Sequence, residues 1–139
     1  MYWASPTAAP TTLPLPAGGT DAYTWGINDA GVIVGFVSVA IGKNKFVNRA
    51  TRWVPSGGSW AVEFLPDLGE GSMALAINDA GQIAGSVYTW LRRTRPAFWD
   101  VNGMLRQLEG TGEAYAISEP VAGPLVAGTN SGTAVRWRP

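Results

Sequence analysis

"INDAGVIVG" (residues 27–35) and "INDAGQIAG" (residues 77–85) are the same nonapeptide written twice, identical at seven of nine positions. Asn and Asp side chains bond the backbone just ahead of them, and glycine takes positive φ without steric penalty. "NDAG" therefore reads as a compact reversal between two apolar strands, with Gly31 and Gly81 expected at positive φ. A calcium loop on Asp29 or Asp79 would need more oxygen ligands than one turn provides. A turn copied fifty residues later implies a repeated unit, and periodicity is the first thing to trace outward.

Three markers recur in a fixed order. The isoleucine before the turn is Ile27, Ile77 and Ile117; tryptophan ends "ATRW" at Trp53, "PAFW" at Trp99 and "AVRW" at Trp137; Leu-rich stretches lie at 12–16, 64–68 and 105–108. Each unit reads as four short strands: a (23–27, 73–77, 114–117), b (32–39, 82–89, 124–129), c with its tryptophan, and d. In strand c, Thr51, Ala97 and Val135 share one alternating set with the tryptophans, the period of a strand. Those tryptophans are expected to be buried between sheets. The third turn is the longer "SEPVAG" (118–123), and "MYW" ending at Trp3 resembles a spare strand c.

The fold class expected is all-β and propeller-like, with three four-stranded blades in one repeat domain over 1–139. Its units span about 17–68, 69–108 and 109–139, plus a strand at 11–16. Closed propellers have at least four blades, so three leave an edge at each end, and edges pair. A homodimer closing a six-bladed ring satisfies both edges. It would set "TTLPLP" (11–16) of one copy beside "TAVRW" (133–137) of the other.

Composition narrows the function. The chain has 139 residues, ten basic and ten acidic side chains, and no cysteine or histidine. Zero net charge argues against nucleic acid, which is bound through a basic surplus; it equally argues against a polybasic membrane-surface protein. No apolar run reaches bilayer length. Thiolate and imidazole metal sites, Cys nucleophiles and Ser-His-Asp triads are excluded, and no cofactor, metal or catalytic residue is expected. "MYWASPTAAP" has neither a basic n-region nor an apolar h-region, so no signal peptide is read there. Acids near strand d (Glu63, Asp67, Glu70, Glu109 and Glu113) leave a glycosidase-like carboxylate pair as the weakest reading.

"ALAINDAGQIAGS" followed by "RPAFW" and "LRQLEGTG" resembles the extracellular HAF repeat family. Arg95 and then Pro96 stand where that family carries its histidine, and "LPDLGEG" matches its Leu-Gly-Gly stretch loosely. The resemblance implies a β-propeller-like array with no assigned reaction, and it suggests an extracellular setting; the residues themselves leave the compartment open.

In such an array the b–c hairpins and d–a loops share one face. The hairpins vary, and variation on one face is where specificity resides. Candidate ligand-binding residues are Trp90, Arg92 and Arg93 on a hairpin, with Lys43, Lys45 and Arg95 nearby. Tyr23 and Trp25 on the first strand a are two more. Arginine with tryptophan suits a carboxylate, a phosphate or a sugar face. The function expected is a non-catalytic repeat module acting by self-assembly and ligand or protein binding; the alternative is a small-carbohydrate-binding lectin.

Overall fold

The computed structural model describes residues 9–91, 93–120 and 123–139. Among them no helix forms. Three antiparallel sheets follow one another along the chain. The first is β1 (Gly19–Ile27), β2 (Ile33–Gly42), β3 (Lys45–Ser56) and β4 (Ser59–Phe64). The middle one is β5 (Ser72–Ile77), β6 (Ile83–Tyr88), β7 (Thr94–Trp99) and β8 (Leu105–Gln107). The last holds three strands, β9 (Ala114–Ile117), β10 (Val126–Asn130) and β11 (Thr133–Trp137), ordered as a meander like the others. Of the Leu-rich stretches, 105–108 supplies β8 and ends just past it at Leu108, whereas 64–68 starts on the last residue of β4 and runs on beyond the strand. Residues 11–16, expected as a strand, carry an isolated bridge at Thr11 and no ladder. The expected spare strand at Trp3 lies outside the described residues.

Every first strand bulges at one equivalent place. The register slips between Thr24 and Gly26, between Ala74 and Ala76, and opposite Ala127 and Gly128, so Trp25, Leu75 and Tyr115 are the extra residues. The bulge drives the first strand's carbonyl toward the second strand. A Cβ on Gly35, Gly85 or Gly128 would land on the carbonyl oxygen of Tyr23, Met73 or Glu113. This close approach is why the nonapeptide ends in glycine; such a site excludes any side chain. The inner glycine has the other role: Gly31 and Gly81 sit at φ 82° and 89°, as the turn reading expects, and Gly123 of the longer third turn follows at 85°.

The sheets stack face to face in chain order. Val34 and Ala50 of the first sheet meet Leu65, Ala74, Ile83, Val87, Ala97 and Trp99. Ala84 and Phe98 of the middle sheet then meet Leu108, Ala114 and Val126 at the next junction. Trp53 and Trp99 are fully buried, whereas Trp137 is half-buried, since among the described residues no fourth strand flanks β11. Each indole N–H donates to a carbonyl in or just after the Leu-rich stretch preceding its own sheet: Trp53 to Pro14 at 2.8 Å, Trp99 to Pro66 at 2.9 Å, Trp137 to Glu109 at 2.8 Å. The stretch leaving one sheet is thus pinned onto the next.

The turns interlock as well. Asn28 closes its own turn by accepting from the Val32 N–H at 2.9 Å, and its amide donates to the Asn78 carbonyl at 3.1 Å. Asn78 repeats this, accepting from Gln82 N–H at 2.9 Å and donating to the Ser118 carbonyl at 3.0 Å. The Asp29 N–H donates to the Asp79 carboxylate at 2.7 Å; the Asp79 N–H donates to the Glu119 carboxylate at 3.0 Å. Donation always runs from one unit to the next, so the array has a direction.

Candidate functional site

The hairpin ends and the d–a loops gather on one face because backbone bonds tie them. Tyr88 N–H donates to Gly71 O at 3.0 Å, Gly112 N–H to Thr94 O at 3.0 Å, and Ser131 N–H to Thr111 O at 2.7 Å. The first hairpin turns at Lys43 and Asn44, where Asn44 takes φ 57°. The second is held by Thr89 N–H donating to Arg93 O at 2.9 Å, which pushes Trp90 and Leu91 outward. Trp90 is 79% exposed, the largest such value among the exposed apolar side chains described. The third turns on Ser131 and Gly132, both at positive φ.

Two open depressions lie on this face and share Thr89. One, of about 440 Å³, is lined by Leu68, Trp90, Leu91, Arg93, Arg95, Gln107 and Thr111. Two guanidinium groups beside an exposed indole suit an anion with a flat apolar part. The other, of about 560 Å³, runs between the first and middle sheets and is lined by Ile41, Asn44, Lys45, Phe46, Asn48, Glu70 and Tyr88. Aromatic rings among amides and one carboxylate suit a hydroxyl-rich ligand. Burial, with the nearby Glu113 charge adding to it, raises the Tyr88 phenol above its ordinary value.

Of the residues singled out from sequence, Trp90, Arg93 and Arg95 come together in the first depression, and Lys45 lines the second. Arg92 lies outside the described residues. Tyr23 and Trp25 stand elsewhere, on β1, 52% and 60% exposed, with the Tyr23 ring stacked on Phe36 at 5.1 Å. Phe46 and Tyr88 were not singled out, and Glu70 was named only among the acids near strand d. Their signal was available: Phe46 is a bulky aromatic on a hairpin without counterpart in the other units.

Three of the acids near strand d are engaged in structural contacts. Glu63 pairs with Arg52, the Arg52 Nε donating at 2.7 Å; Asp67 accepts from the Gly69 N–H at 2.7 Å and lies 3.6 Å from Arg49; Glu113 accepts from the Tyr115 hydroxyl. That last bond raises the Tyr115 phenol. On the opposite face Asp29 and Asp79 form a close carboxylate pair. The hydrogen bond between them, then their mutual repulsion, raises Asp29 above the usual carboxylate value. The pair is solvent-exposed and built into the turn ladder, not across a cleft that could hold a sugar. Among the described residues no group of three or more acids is placed to hold a metal ion. Comparison with family models, with curated proteins and with solved structures finds no match to this chain.

Proposed function

We propose that the chain is a non-catalytic propeller-type module of the kind the HAF-repeat resemblance implies. Its three sheets act as blades, two copies close a six-bladed ring, and the hairpin face binds a ligand or protein. One observation carries the binding part. Repeated side chains such as Trp53, Trp99, Leu65 and Leu108 are buried at the junctions, whereas large exposed side chains without repeat counterparts, Ile41, Phe46, Trp90 and Leu91, stand on the hairpin face. Exposed apolar side chains flanked by arginines mark interaction surfaces. The ligand of the Trp90 depression is a small anion or an acidic segment of a partner.

The groove between the first two sheets favours a second reading, a small-carbohydrate lectin, through Phe46 and Tyr88 beside Asn44, Asn48 and Glu70. Tryptophan fluorescence titrated with a carboxylate- and phosphate-bearing panel, alongside a glycan array, separates the two. Anion binding lost in Trp90→Ala supports the first; glycan binding lost in Phe46→Ala supports the second. No response to either panel, and no protein retained on the immobilised chain, refutes the binding function. Light scattering reads the ring directly: a mass twice 14.7 kDa is expected, and a monomer at high concentration refutes closure by two copies.

A further inference from the structure

The junction between sheets is built twice within the chain from equivalent parts, and each half of it occurs once more, unused. At the first junction Val34 and Ala50 are buried by the middle sheet; at the second, Ala84, Pro96 and Phe98 are buried by the last. Their counterparts on the last sheet, Ala127, Ala134 and Arg136, are exposed, and so is Tyr115, the counterpart of buried Leu75. The receiving half recurs on the first sheet. There an open depression of about 310 Å³ is lined by Leu13, Leu15, Ala22, Thr24 and Trp53. Leu65, Ser72, Ala74 and Trp99 occupy the equivalent places at the filled first junction, and all four are buried.

We propose that a second copy of this chain docks there, the exposed face around Ala127 and Ala134 entering the Leu13–Trp53 depression. The proposal rests on the ring reading and adds the contacts that would make it. Continuity with the internal junctions gives them. Leu65 N–H donates to Ala50 O and Leu108 N–H to Pro96 O, both at 2.8 Å. By the same register Leu13 N–H reaches Ala134 O of the second copy, which extends the three-stranded sheet along β11. Ala50 N–H donates to Ser72 Oγ at 2.9 Å, so Ala134 comes to lie beside Ala22 of the other copy. The turn ladder continues too: the Glu119 N–H takes the Asp29 carboxylate of the second copy, as Asp79 takes Glu119. An exposed edge strand with an apolar face invites such pairing, and a two-fold ring uses the same contact twice.

The test is a charge exchange across the contact. Ala22 and Ala134 are exposed in the single chain, so Ala22→Glu and Ala134→Arg leave each protomer folded, which circular dichroism checks. Alone, each variant buries an unpaired charge at both junctions and is expected to run as a monomer by light scattering. Mixed in equal amounts they give one junction with the charges paired and one junction of wild type, so the doubled mass returns. Met104→Arg, at an exposed position on another loop, leaves the wild-type mass. A wild-type dimer that both variants leave intact, or single variants whose mixture stays monomeric, overturns this contact while leaving self-assembly by another surface standing. A monomeric wild type overturns both.

Discussion

Replacing Trp99 by alanine removes the largest side chain buried between the first and middle sheets, together with the indole N–H that holds the Pro66 carbonyl at 2.9 Å. Large-to-small core substitutions of this type cost about 3–5 kcal/mol. At this chain length each kcal/mol moves the midpoint by roughly 3–5 °C, so a fall of about 10–20 °C is expected. Trp99→Phe separates the terms: it keeps a ring in the core but strands the carbonyl, at a cost of about 1–3 kcal/mol. Trp137→Ala should cost less than Trp99→Ala, because Trp137 is only half-buried in the single chain. Thermal unfolding followed by circular dichroism, at one protein concentration since association shifts apparent stability, reads all three. A Trp99→Ala midpoint within 3 °C of wild type, or a Trp137→Ala loss equal to it, would refute the packing argument.

Gly81→Ala and Gly85→Ala should differ sharply in the same assay. At Gly81 the added methyl meets open space and pays only for φ 89°, about 1–2 kcal/mol, whereas at Gly85 it strikes the Met73 carbonyl and should prevent the bulge; equal losses would dismiss the bulge account. Asn78→Ala should cost about 2–3 kcal/mol, because it strips a buried amide that serves its own turn and the Ser118 carbonyl; a neutral result in chemical denaturation would dismiss the turn ladder. Asp79→Asn keeps an oxygen for the Asp29 N–H and removes the repulsion. Asp29 is raised in the folded chain, so its proton-linked contribution is complete below the unfolded carboxylate value and is lost as pH rises through the folded one. Asp79→Asn should therefore stabilise at pH 7 and lose that gain near pH 3; a gain independent of pH would contradict the pairing.

Much of the architecture was legible because it rests on local chemistry. Period-two alternation and "NDAG" placed the first three strands of each unit, and Gly31 and Gly81 declared their backbone directly. The end of each fourth strand was harder to place because Leu65 and Leu108 look like strand residues; in space they are the anchors just after β4 and β8, a distinction set by the next sheet's tryptophan. The second glycine of the nonapeptide resisted reading for a similar reason. Gly35 answers to a carbonyl displaced by a bulge at Trp25, ten residues upstream, which no local pattern announces. The repeated Asn and Asp were understood as turn residues, yet a turn alone would tolerate substitutes; their amides and carboxylates also serve the neighbouring unit. At the candidate site, Trp90 with Arg93 and Arg95 could be found because they cluster on one hairpin. The groove holding Phe46, Tyr88 and Glu70 could not, since it draws on three separate segments that meet only after two sheets stack.

In the single chain the middle sheet is covered on both sides, and the end sheets on one. In an array whose parts touch only their neighbours, opening proceeds from the ends inward. Amide hydrogens of β6 and β7 should consequently exchange slowest, at rates approaching those of global unfolding. Those of β10 and β11 should exchange through a cheaper excursion in which the last sheet peels away and the rest persists. A chain with such a loose terminus spends part of its time with Leu108 and Phe98 uncovered, and that excursion, rather than complete unfolding, would set how quickly a protease can cut it.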